Sequence, residues 1–325
     1  MDIDFVITWV DGNDPLWLEE YYKYNNNNLD SRKERFRDYG ILKYWFRAVE
    51  KYAPWVRKIH FVTYGHIPKW LNCNNEKINI VKHDEFIPKK YLPTFSSHTI
   101  ELNMHLINGL SENFVYFNDD MFINNSISET DFFVDGKICD YFKFIMFTAN
   151  DNVFSHYLLN NNYIINKNFS IKDIKLKKII SKKYKLKVNF LNILFSRGRY
   201  IPFFENLHLP QAYKKNTFYE IWDKEYDILD KTCSNKFRAL SDISPYLMRE
   251  WQLLKEDIEI FDIKSRGKVL YLGIKNRELE KVLNSKNKFI CINDISCAEN
   301  DFYKYKQEIG KIFSEKYCIK SKFEI

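Results

Sequence analysis

No apolar run in this chain of 325 residues approaches the ~18 needed to cross a bilayer. A basic leader followed by a short apolar core is also missing, because a strand-like segment begins almost at the first residue. These absences predict a protein that neither spans a membrane nor carries a signal peptide, with a cytoplasmic location. Cysteine is sparse and poorly spaced for chemistry. Cys73, Cys139, Cys233, Cys291, Cys297 and Cys318 form no C-x-x-C pair and have no matching histidine pair. That excludes the usual zinc and dithiol motifs and predicts reduced thiols. Internal repeats are lacking as well.

What is present is a core-forming composition, 45% hydrophobic and 17% aromatic, enough for one large domain or two ordinary ones. The formal charge of +7, from 50 basic and 43 acidic residues, permits attraction to a nucleotide, a polyanion or a membrane surface. Most lysines are spread along the chain beside asparagines and read as solvated surface. Between Lys172 and Lys187, however, Lys175, Lys177, Lys178, Lys182, Lys183 and Lys185 crowd a helix-like stretch. Such a patch allows peripheral association with the inner membrane. The basic residues are not interleaved with aromatics in a stripe, so no nucleic-acid partner is expected.

Periodicity gives the organisation. Strands are predicted at Phe5–Val10, Lys58–Thr63, Ile78–Val81, Phe114–Phe117, Val269–Leu272 and Phe289–Ile292. Helices are predicted at Leu16–Tyr24, at Ile41–Tyr52 with Pro54 as a stop, and from about His98 to Ile107 with Gly109 beyond. Asn25–Asn28 reads as a polar interruption, and Gln211–Lys255 as helical. The expectation is one α/β domain over 1–325. Its Rossmann-like, mostly parallel sheet is built from both ends of the chain and interrupted by a mostly helical insertion at about 145–200.

Three of these strands run into acids: Phe5–Val10 into Asp11 and Asp14, Phe114–Phe117 into Asp119 and Asp120, and Phe289–Ile292 into Asn293 and Asp294. Ligands of open α/β sheets bind outside the carboxyl ends of the strands. Three such ends therefore predict one acidic site suited to a divalent cation and, through it, a phosphate. Asp11 and Asp14 flank Gly12 and equally read as a turn. His98, Glu101 and His105 share a helical face, of which Glu101 is the better site candidate. His208, two residues before Pro210, reads either as a structural loop histidine or as a general base at the mouth of a site, and Arg238 either as surface charge or as a phosphate clamp.

The run Phe5-Val6-Ile7-Thr8-Trp9-Val10-Asp11-Gly12-Asn13-Asp14-Pro15 resembles the first block of the Stealth family. A second, longer block is similar to Arg35-Phe36-Arg37-Asp38-Tyr39-Gly40, the helix carrying Leu42, Trp45, Phe46 and Val49, and Glu50 to Val56. It continues through Leu92 to Ser97, Ile100-Glu101 and Gly109 to Glu112, closing on Phe117-Asn118-Asp119-Asp120-Met121-Phe122. His208-Leu209-Pro210 with Lys236-Phe237-Arg238 resembles a third block, and Cys291-Ile292-Asn293-Asp294 with Lys320 to Glu324 a fourth. Tyr39, Ile41 and His98 depart from the residues usual at their positions.

The resemblance implies transfer of a sugar-1-phosphate from a UDP-sugar to a glycan or polysaccharide hydroxyl, with Mg²⁺ or Mn²⁺. It carries catalytic roles onto His208, Arg238, Asp14 and Glu101, and metal binding onto Asp119 and Asp120. Asn293 matches as well, and with Asp11 and Asp294 at the strand ends it is expected to bind the donor. The rival reading is a metal-dependent glycosyltransferase that releases UDP rather than UMP.

Overall fold

The computed structural model describes residues 1–25, 36–148, 153–261 and 266–325. In chain order its strands are β1 (Ile3–Thr8), β2 (Ile59–Thr63), β3 (Ile78–Lys82), β4 (Asn113–Phe117), β5 (Met121–Ile123), β6 (Phe133–Val134) and β7 (Lys137–Asp140). β8 (Phe144–Ile145), β9 (Phe203–Phe204), β10 (Gln211–Lys214), β11 (Ile258–Ile260), β12 (Gly267–Tyr271) and β13 (Phe289–Asn293) complete the set.

The main sheet has five strands in the order β10-β4-β1-β2-β3. β1 to β4 are parallel and β10 is antiparallel at one edge. β1 and β2 are near-continuous apolar runs because helices cover both faces of a parallel sheet. Alternate side chains still separate two cores: Phe5, Ile7, Phe61 and Phe117 on one face, Val6, Val62, Phe114 and Tyr116 on the other. The helix Leu42–Tyr52 buries Leu42, Trp45, Phe46 and Val49 on the first face, where the Trp45 ring meets Phe117 at 5.3 Å.

The α/β class with a mostly parallel sheet is as expected, but the layout of the sheets differs from the sequence reading in two ways. β12 and β13 do not extend the main sheet. They form a second sheet in the order β12-β13-β5, in which β13 runs antiparallel to β5. β5 follows β4 after three residues, so Asn118-Asp119-Asp120 is the link at which the chain leaves one sheet and enters the other. The second difference is Gln211–Lys214, expected to be helical, which is strand β10 paired with β4. The reason is non-local: those four residues complete the open edge of β4 before a helix starts at Lys215.

Register fixes where the strand ends meet. Ile7 pairs with both Phe61 and Phe117, so the loops after β1 and β4 emerge at one edge. Cys291 pairs with Met121, and the Ile292 amide donates to the Asp120 carbonyl at 2.9 Å, which brings the end of β13 to the same edge. Because Gln211 pairs with Tyr116, His208 lies just beyond the end of β4. All six cysteines are free. Among the described residues, no helix is long and apolar enough to cross a membrane.

Candidate active site

A cleft of about 490 Å³ opens at this edge. Of the residues singled out in the sequence, Asp119, Asp120, His208, Arg238, Asn293 and Asp294 line it. Trp17, Phe36 and Phe95 give it an aromatic flank.

Asp120 is the centre of the polar part. Its Oδ2 lies 3.2 Å from His208 Nε2 and 3.3 Å from the Cys291 thiol. Its Oδ1 is buried and has no hydrogen-bond partner among the described residues. A buried carboxylate oxygen left unmatched is costly and points to a missing ligand. Asp119 and Asp120 both sit in a turn, so strand alternation does not decide between them. Burial pushes the Asp119 carboxyl up to about 8, with the charges of Asp120 and Asp38 acting in the same direction. Burial also raises the Cys291 thiol well above its ordinary value, reinforced by Asp120, which keeps it a protonated donor. For His208, burial opposes the charged ring, yet the charge and hydrogen bond of Asp120 and the charge of Glu101 prevail and raise its pKa. Its other nitrogen, Nδ1, lies 3.2 Å from the Tyr246 hydroxyl.

Arg238 Nη2 donates to Ser97 Oγ at 2.5 Å. Glu101 does not line the cleft but stands one helical turn beyond Ser97. Burial pushes its carboxyl up to about 7, against the charge of Arg238 and hydrogen bonds from Ser97 and Tyr116. The expected helix His98–Ile107 ends at Leu102. His105 falls on a following 3₁₀ turn, stacked 5.6 Å from Phe218, while His98 lies 3.7 Å from Asp242. The His98–Glu101–His105 face is therefore not a shared ligand set.

Asp294 lines the cleft with its carboxylate held by Arg37, whose Nε and Nη2 donate to the two oxygens at 2.8 and 2.6 Å. Asp11 and Asp14 do not line it. Asp14 caps the helix Pro15–Tyr24 by accepting from the Trp17 amide at 2.8 Å, and Asp11 accepts from the Asn13 amide at 2.9 Å. Gly12 has no room for a side chain, since a Cβ there would stand 2.1 Å from the Phe36 carbonyl oxygen. The first loop thus seats the segment carrying Phe36, Arg37, Asp38 and Tyr39 against the cleft. Arg35 lies outside the described residues, as do Asn26 to Asn28.

Sequence reasoning gave no place in the site to Arg37, Asp38, Ser97, Cys291 or Tyr246. The first four stand inside the stretches that carry the family resemblance, which was the available signal. Tyr246 offered none, because it reaches His208 from a helix 38 residues away.

Mg²⁺ and Mn²⁺ prefer oxygen ligands. Asp120 with its open Oδ1, Asp119, Asp38 and the amide oxygen of Asn293 supply them around one cleft, so the donor set fits such an ion. Asp120, His208 and Cys291 also bring one ligand atom each within 4.8 Å of one another. For ions that prefer oxygen, the Cys291 sulfur suits a hydrogen-bond donor to Asp120 better than a ligand.

Residues 1–29 match Stealth protein conserved region 1, and residues 35–140 match Stealth protein conserved region 2. Over 99% of both chains, the sequence is 40% identical to the capsular polysaccharide phosphotransferase WcwK of Streptococcus pneumoniae. It is 36% identical to the exopolysaccharide phosphotransferase cps2G of Lactiplantibacillus plantarum, over 99% of this chain and 96% of that one. Among solved structures, the galactosyltransferase LgtC with donor and acceptor sugar analogs covers 95% of each chain at 8% identity and a TM-score of 0.39. Mouse xyloside xylosyltransferase 1 covers 90% of this chain and 97% of its own at 10% identity and a TM-score of 0.37. Likenesses this distant carry no argument.

Proposed function

Because the chain belongs to the Stealth family, we propose that it is a sugar-1-phosphate transferase of capsule or cell-surface polysaccharide synthesis. It moves a hexose-1-phosphate, in our reading an N-acetylhexosamine-1-phosphate, from a UDP-sugar to a hydroxyl of an acceptor glycan. The acceptor oxygen forms a bond to the sugar-bearing phosphorus. The bond from that phosphorus to the oxygen bridging the two phosphates breaks, and UMP leaves with that oxygen. The product is a phosphodiester.

The observation that carries this reading is the open Oδ1 of Asp120, set in one cleft with His208 and Arg238. Phosphoryl transfer is catalysed mostly by positioning and charge neutralisation, and the cleft holds groups for each. A divalent ion held by Asp120 and Asp119 with Asn293 would supply neutralisation of the diphosphate charge. Arg238 offers a planar fork to the transferred phosphate, with Ser97 fixing its direction and Glu101 behind it. His208 takes the acceptor proton. In the tautomer that acts as base, Nδ1–H donates a hydrogen bond to the Tyr246 oxygen and Nε2 carries the basic lone pair, once the charge of Asp120 is offset by a bound ion. Asp11 and Asp14 act at one remove, by shaping the loop that places Trp17, and Asp294 by holding Arg37.

A panel of UDP-sugars with Mg²⁺ or Mn²⁺, assayed for UMP against UDP, tests the reading. UMP with a phosphodiester supports it, and UDP with a glycosidic product refutes it. Replacement of His208 with Ala should lower turnover by about 10²- to 10⁴-fold while sparing donor binding. Turnover near the wild-type rate would remove His208 from the base role.

A further inference from the structure

From 174 to 204 the chain has no Asp or Glu, yet it contains nine Lys and Arg. The fold uses four of the nine internally. Lys175 and Lys177 each reach Asp257 at 2.9 Å, Lys183 pairs with Glu259, and Lys178 is buried with its ammonium on the carbonyls of Leu253 and Leu254. Much of the basic stretch seen in the sequence is therefore spent on holding this segment to the body. Lys182, Lys185, Lys187, Arg197 and Arg199 remain, exposed and with no carboxylate partner among the described residues.

Lys182, Lys185, Arg197 and Arg199 bracket the helix Leu186–Ser196, and Lys187 stands in its first turn. The rotation of that helix is fixed from within: Asn192 is buried, accepts from the Phe144 amide at 2.9 Å and donates to the carbonyls of Phe142 and Ile179. Val188 is buried beside it. The opposite face then presents Leu186, Phe190 and Leu194, at i, i+4 and i+8, with exposures of 87%, 65% and 49%. An outward apolar stripe on a helix already anchored by its other face contributes nothing to the core.

We propose that this face docks on an anionic lipid bilayer, with the three apolar side chains at the acyl boundary and the five unpaired cations among the headgroups. An apolar stripe flanked by Lys and Arg is the pattern of a helix lying in the membrane interface, and anionic headgroups attract each added cation. Charge decides against a second copy of the chain, since two such faces would bring their cations together. The proposal does not depend on the transfer chemistry, so either can fail alone.

Flotation of the full chain with vesicles tests it. The protein should float with vesicles of phosphatidylcholine containing roughly a third phosphatidylglycerol, stay behind with phosphatidylcholine alone, and release as salt is raised. Phe190→Glu and, separately, Leu186→Glu should each lower the bound fraction by about tenfold or more, with helix content unchanged. Leu186 stands at the helix start with its side chain in solvent, so that variant keeps the test valid if Phe190→Glu does not fold. No flotation with the anionic vesicles would overturn the proposal, as would equal flotation of both variants and wild type. A wild-type dimer that Phe190→Glu dissolves, without vesicle binding, would assign the face to a second copy instead.

Discussion

Asp4 and Asp120 stand at opposite ends of the main sheet. Asp4, near the start of β1, is fully buried and paired on both oxygens. Arg57 Nε donates to Oδ1 at 2.9 Å, while His60 Nε2 lies 3.0 Å from Oδ2 and the Ser111 amide donates to it at 2.8 Å. Asn79 braces the far side of His60 at 2.9 Å. Asp120, just past the end of β4, has one oxygen near a histidine and a thiol and the other buried with no partner. The closed carboxylate is a piece of structure. The open one, with Asp119 and Asp38 near it, costs the folded chain stability that a bound ion or water can return, and together with the raised Asp119 carboxyl in the same cleft it marks the candidate site.

The widest separation comes from removing each acid. Asp4→Ala takes the carboxylate from the buried His60 and the Ser111 amide, while the Arg57 fork, 36% exposed, keeps the Gly109 carbonyl, and should lower stability by about 3 kcal/mol in denaturant melts. Asp120→Asn should leave stability unchanged or higher while cutting turnover by about 10²-fold or more. If Asp120→Asn destabilised the protein as much as Asp4→Ala, the contrast would collapse.

A divalent ion sharpens the same contrast. Mn²⁺ at ~100 times its dissociation constant should stabilise the wild type by about 2.7 kcal/mol, seen as a rise in Tm. The rise should persist in a variant of the closed end that still folds and vanish in Asp120→Asn.

The two ends should also respond to pH with opposite sign. For Asp4, burial is outweighed by the hydrogen bonds of His60, Arg57 and Ser111, so its folded pKa lies below 3.8. Its stabilising contribution is full above that value and is lost as pH falls through the lower folded pKa. Asp119, raised from 3.8 to about 8, holds a proton in the metal-free fold that the unfolded chain has released, so its contribution turns unfavourable as pH rises between those values. Asp119→Asn should have a Tm that meets the wild type near the acid end of this window and exceeds it at the alkaline end. Partial exposure lets water screen Asp119, so this effect is smaller than loss of the Asp4 network. Parallel Tm curves would refute the raised carboxyl.

The smallest effect belongs to Asp14. Loss of its cap on the Trp17 amide in Asp14→Ala should cost about 1 kcal/mol, and metal-induced stabilisation should be unaffected. A loss of that stabilisation would move Asp14 from the loop into the site.

The parts legible in the sequence were those written in local periodicity. The strands β1 to β4 and β13, the two helices that follow the first loop, and the clustering of three strand ends all follow from apolar patterns and the acids that terminate them. Asp11 and Asp14 left two readings open, and the hydrogen bonds favour the turn. What escaped was non-local. β10 is strand only because β4 has a free edge. The β5 link turns Asp119-Asp120 from a strand end into the seam of two sheets, and Arg37 meets Asp294 across 257 residues. The basic stretch misled in the same way, because Asp257 and Glu259, which neutralise three of its lysines, lie far along the chain.

The central claim is that the open end of the sheet moves a phosphoryl group and leaves the bond between sugar and phosphate intact. A UDP-sugar carrying an isotopic label in the oxygen between its anomeric carbon and phosphorus tests this by mass spectrometry of the products. Label retained in a sugar phosphodiester, with unlabelled UMP released, is the predicted result. Label leaving with UDP would contradict it.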